Sequence, residues 1–100
     1  MPTVSKVLAR TAAATTSATL YTTPAGSSAV VTNIAITNTT TGSVTATISL
    51  NSVALLSSVA VAANTTAFID LKQVLSATQT ITGLASTTAV NFHISGVELA

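Results

Sequence analysis

The clearest pattern in the chain runs from Val44 to Leu50, where apolar and polar residues alternate without a break. Val44, Ala46, Ile48 and Leu50 fall on one side, and Thr45, Thr47 and Ser49 on the other, the signature of a half-buried strand. The stretch Val30 to Ile36 places Val30, Ile34 and Ile36 together. Val90 to Ile94 turns Val90, Phe92 and Ile94 inward and leaves Asn91 and His93 on the polar side. Further strands are expected over Ala18–Thr22, Val53–Val61, Ala67–Leu71 and Thr78–Gly83. Lys72–Leu75 reads as one helical turn joining two of them. Breaks fall at Thr23-Pro-Ala-Gly26, a β-turn sequence, at Asn38–Gly42, which reads as a hairpin loop, and at Ala63-Asn-Thr65. Seven or eight short strands at this spacing predict an all-β fold, a single antiparallel β-sandwich of jelly-roll-like form. Its expected core is Ile34, Ile36, Ile48, Leu50, Ile69, Ile81, Phe92 and Ile94, with Phe68 also read as core.

Two regions are expected. Residues 17–100 form the sandwich. Residues 1–16 are low in complexity, and are read as an N-terminal arm or an added edge strand. Lys6 and Arg10 lie in this first region, interleaved with Val4, Val7 and Leu8. An arm that mixes apolar area with cationic groups suits binding along a neighbour, so these five residues are the candidate partner contacts.

Composition supports the strand reading. Thr, Val and Ile make up 38 residues, whereas Glu, Lys, Gln and Arg make up six, and β-branched side chains favour a pleated surface. Only five residues of 100 are charged, with a net charge of +1. Neither a basic surface for nucleic acid nor an acidic one for cations is expected. No cysteine is present, so neither a disulfide framework nor a thiolate metal site is expected. The longest unbroken apolar stretch, Val59–Ala63, is far short of a membrane span, which needs about 20 residues. Neither a signal peptide nor a membrane association is expected.

Candidate chemistry is sparse. His93, Asp70 and Glu98 would have to converge to hold a metal, and a Ser-His-Asp triad is possible only by count, since no nucleophile-elbow sequence surrounds any serine. His93 is read as structural or solvated. No catalytic, cofactor-binding or metal-binding residue is assigned, and the chain is expected not to be an enzyme. The acceptor patterns at Asn38-Thr-Thr and Asn64-Thr-Thr are taken as chance products of a Thr-rich chain.

Three stretches resemble a small β-sandwich domain of tailed-bacteriophage virion proteins. They are Tyr21-Thr-Thr-Pro-Ala-Gly26 leading into Val30–Thr39, Phe68-Ile-Asp-Leu-Lys-Gln-Val-Leu75 with Gln79-Thr-Ile81, and the closing Val90–Glu98. Thr78 and Gln79 depart from the charged residues common in such domains. The resemblance implies a virion structural protein, first a capsid decoration (cement) protein that stabilises the assembled head. The alternative is a tail or fibre module that binds a host receptor or glycan. Its implied partners are copies of itself, with a trimer expected by analogy, and the major capsid protein or a tail protein. The low charge agrees with this reading, because such a surface loses water without stranding ions.

Overall fold

The computed structural model describes residues 3–99, and Met1, Pro2 and Ala100 lie outside the described residues. The chain forms eight strands: β1 (Thr3–Ala12), β2 (Ala18–Thr22), β3 (Ser28–Asn38), β4 (Val44–Leu50), β5 (Val53–Val61), β6 (Thr66–Leu75), β7 (Thr80–Ala85) and β8 (Val90–Leu99). They make two four-stranded sheets, ordered β1-β8-β3-β6 and β2-β7-β4-β5. All pairs are antiparallel. The pairs β1·β8, β2·β7, β3·β6 and β4·β5 are nested one inside the next. This nesting is the jelly roll, a β-sandwich in which strands at opposite ends of the chain meet. The outcome confirms the fold class expected from alternation.

Several local expectations need correction. Lys72–Leu75 is not a helical turn but the end of β6, where Gln73, Val74 and Leu75 pair with Val31, Val30 and Ala29. The ladder offered by β3 fixes this segment as strand, a tertiary effect that local reading misses. Asn38–Gly42 is not a hairpin loop either. It carries the chain from one sheet to the other, since β3 pairs with β6 and β8 rather than with β4. The tight hairpin lies at Asn51-Ser52, between β4 and β5, where φ is 49° and 65°. Positive φ at both central residues is the twist that a two-residue hairpin needs.

The core lies between the sheets. Ile34, Ile36, Ile48, Ile81, Phe92 and Ile94 are fully buried, and Leu50 and Ile69 are partly buried against them. Phe68 was expected inside and is 73% exposed. It lies on β6 between the inward-facing Ala67 and Ile69, so strand parity turns it out. In β3, Val31 rather than Val30 is buried, because the register slips at Thr32 between Val31 and Asn33. One extra residue swaps the face of everything beyond it.

Asn38 is the main buried polar side chain. Its Nδ2 donates to the carbonyls of Gly42, Val61 and Ala62 at 2.8–3.1 Å, while its Oδ1 accepts from Thr40 N and Oγ1. The amide thus ties the β3–β4 crossover to the end of β5. Satisfied on every side, it supports the reading of its acceptor pattern as chance.

Candidate functional site

The four edge strands of the sandwich form two flanks. On one flank β1 lies beside β2, and on the other the start of β5 faces the end of β6 across a groove. The flanks differ in chemistry.

The β1/β2 flank is tied by polar groups. Lys6 Nζ on β1 contacts both carboxylate oxygens of Glu98 on β8, at 3.1 and 3.2 Å. Tyr21 on β2, in the opposite sheet, donates its hydroxyl to the same carboxylate. Three side chains therefore bridge both sheets. The Tyr21 and Lys6 donors hold the Glu98 carboxyl below its ordinary range. Burial, followed by the hydrogen bond to Glu98 and its charge, pushes the Tyr21 hydroxyl well above its ordinary value. Beyond β1, Ala13 N donates to Val90 O and Ala85 N to Ala14 O, so the connection to β2 is pinned to both sheets.

Of the candidate partner contacts, the structure brings Val4, Lys6, Val7, Leu8 and Arg10 together on β1. The strand pairs with β8 from Thr3 to Ala12 and forms a sheet edge. Val4 and Val7 are exposed, and Arg10 is an exposed residue opposite His93. Leu8 must be removed from the set. It is only 6% exposed and packs in the core, because a bulge between Val7 and Ala9 drives it inward. Lys6 spends its charge on Glu98.

The β5/β6 flank is apolar. Phe68 is 73%, Val53 70% and Val74 65% exposed, and Leu55 is also exposed. Val53, Leu55 and Val74 line a shallow groove between the two strands, floored by Leu50 and Leu75. Phe68, Asp70 and Lys72 all face solvent along β6. Asp70 accepts a hydrogen bond from Asn33 at 3.2 Å, and neither it nor Lys72 joins an ion pair among the described residues. The sequence signal for this surface was the alternation Phe68, Asp70, Lys72, Val74, which the helical-turn reading of Lys72–Leu75 hid.

The groups that could have carried chemistry stay apart. Asp70 is on β6, two strands from His93 on β8, and Glu98 turns toward Tyr21 in the other sheet. Among the described residues no three His, Asp or Glu side chains gather as metal ligands would. What the geometry offers is surface. Five charged residues serve the whole chain, and among the described residues seven large apolar side chains stand exposed. No protein-family model, curated protein or solved structure matches this chain.

Proposed function

We propose that the chain is a non-enzymatic structural protein of a bacteriophage particle, a capsid decoration protein that adds to the assembled head and stabilises it. The observation that carries this reading is the β5/β6 flank, where Val53, Leu55, Phe68 and Val74 are exposed on a small sandwich almost without charge. Val53, Leu55 and Val74 gather at one groove, with Phe68 farther along β6, and exposed apolar side chains so grouped mark an interaction surface. A surface of Thr, Ser and Ala beside them loses water at low cost, and the flank's two charges, Asp70 and Lys72, are opposite in sign, so one partner surface can pair both. The resemblance of the Tyr21–Gly26, Phe68–Leu75 and Val90–Glu98 segments to phage virion domains supplies the setting. Function lives in the surface rather than in the jelly roll, which hosts many roles.

Every edge strand carries a register break: near Leu8 in β1, Leu20 in β2, Ser57 in β5 and Leu71 in β6. Bulges are themselves a guard against indiscriminate edge pairing. Association at an edge therefore depends on which side chains flank it.

A ligand that binds only the assembled state stabilises that state by mass action. The purified chain should bind assembled heads lacking it, saturate at a fixed number of copies, and raise the temperature at which they open. Unassembled capsid subunits should not bind it. Equal binding to both, or no rise in opening temperature, overturns the proposal.

A further inference from the structure

We infer that β6 is a self-recognition strand, which pairs antiparallel with β6 of a second copy about a two-fold axis through Leu71. The inference takes up the self-association expected from the resemblance, with a two-fold pair in place of the trimer expected by analogy. Among the described residues β6 pairs only with β3, so its other edge is open. Its outward side chains read Phe68, Asp70, Lys72, Val74. That order is self-complementary about Leu71. Antiparallel pairing in this register sets Asp70 opposite Lys72 of the second copy, and Phe68 opposite its Val74. The two-fold axis repeats each pair. A two-fold interface needs such a surface, one that meets itself with opposite charge against opposite charge.

The apolar pairs have a place to go. Val74 borders the groove between β5 and β6, together with Val53 and Leu55. A Phe68 ring arriving beside Val74 would cover this groove, and the two Phe68 side chains are exchanged across the axis. The extra residue of β6 lies near Leu71, opposite Thr32 of β3, where the axis passes. It interrupts the ladder at its centre and leaves Ala67–Asp70 of each copy facing Lys72–Leu75 of the other.

The other edges fit a second copy less well. The equivalent pairing of β1 about Leu8 would set Lys6 against Arg10, like charge against like, which is destabilising. β2 has five residues, and β5 is broken twice in its pairing with β4.

Sedimentation velocity on the full chain and on charge-reversed variants tests the pairing. The unaltered chain should form a dimer of 9.9 kDa subunits as concentration rises. Asp70→Lys and Lys72→Asp should each weaken dimerisation about tenfold or more, because each sets like charges opposite one another twice. Mixing the two variants should restore association, since one then carries two cations and the other two anions. Both positions are solvent-exposed, and circular dichroism of each variant should match the unaltered chain. Phe68→Ala provides a charge-independent second reading and should also weaken the dimer. A monomer at all concentrations, a trimer, or single variants that associate as before would overturn the inference. None of these results would touch the particle reading, which stands on binding to heads.

Discussion

Gly96 on β8 packs so closely against the backbone of Val30 on β3 that a Cβ at Gly96 would overlap the Val30 carbonyl oxygen. Leu8 closes over the same spot, 2.9 Å from that Cβ position. The close approach lies beside the register slips of β1 and β3, so three strands of one sheet depend on a missing side chain there. In the other sheet, Gly83 on β7 faces Phe92 across the core, but its hypothetical Cβ meets only side-chain ends, those of Ile48, Leu20 and Phe92 at 2.9–3.3 Å.

The two glycines should therefore respond differently to alanine. Side-chain ends can shift by a few tenths of an ångström, whereas a paired backbone carbonyl cannot move without breaking its ladder. Gly83→Ala should cost about 1 kcal/mol and Gly96→Ala about 3 kcal/mol, the range of overpacked cores. Urea denaturation of both variants checks the order, and equal costs would show that the β8–β3 contact is not the tighter one.

Stability should fall at both ends of the pH scale for one reason, the bridge of Tyr21, Glu98 and Lys6. The Glu98 carboxyl is depressed in the folded chain, so its contribution is present above the ordinary value of 4.5 and lost as pH falls through the folded value. The Tyr21 hydroxyl is raised, so its contribution is present below the ordinary value of 10.0 and lost as pH rises above it. A plateau between about pH 5 and 9.5 is expected in the melting temperature. Tyr21→Phe should remove the alkaline fall and shrink the acid one. Melting curves recorded across this range, with the variant matching the unaltered chain at both ends, would show that the bridge contributes nothing.

The turn between β6 and β7 offers two stabilising changes. Thr78 adopts φ 68°, a left-handed conformation that a β-branched residue rarely takes, within a turn closed by Gln79 N donating to Ser76 O. Thr78→Gly should stabilise by about 1 kcal/mol, the left-handed penalty partly offset by the greater freedom of an unfolded glycine. Thr78 N donates to Thr23 O, and Thr23 is buried with its hydroxyl unpartnered among the described residues. Thr23→Val keeps the shape and removes that polar group, so it should stabilise by about 1–2 kcal/mol. Thermal unfolding measures both, and a lower melting temperature for Thr23→Val would mean that the hydroxyl is satisfied.

The sheets were legible in the sequence where alternation was unbroken. Val44–Leu50 is a strand with the bounds that its alternation predicts, and Val53–Val61 is one with the bounds read from the breaks around it. The inward isoleucines of β3, β4 and β8 follow from period two alone. Bulges were not legible, because their extra residue is set by the neighbouring strand. That is why Val31 replaced Val30 inside, and why Leu8 turned from a surface candidate into core. Phe68 misled for another reason: an apolar residue is permitted outside, and only its parity against Ala67 and Ile69 reveals where it points. The Tyr21–Glu98 contact joins residues 77 positions apart, a separation that only the nesting of strands explains. The candidate surface was half legible, since the exposed β1 residues were named from charge and the β6 flank was not.

The central claim, a structural protein of the assembled head, is tested most directly by counting. Quantitative mass spectrometry of purified particles gives the molar ratio of this chain to the major capsid protein. A decoration protein predicts a fixed ratio near that of the shell lattice, with hundreds of copies in each particle. A handful of copies would place the chain in the tail, and absence from washed particles would contradict the account altogether.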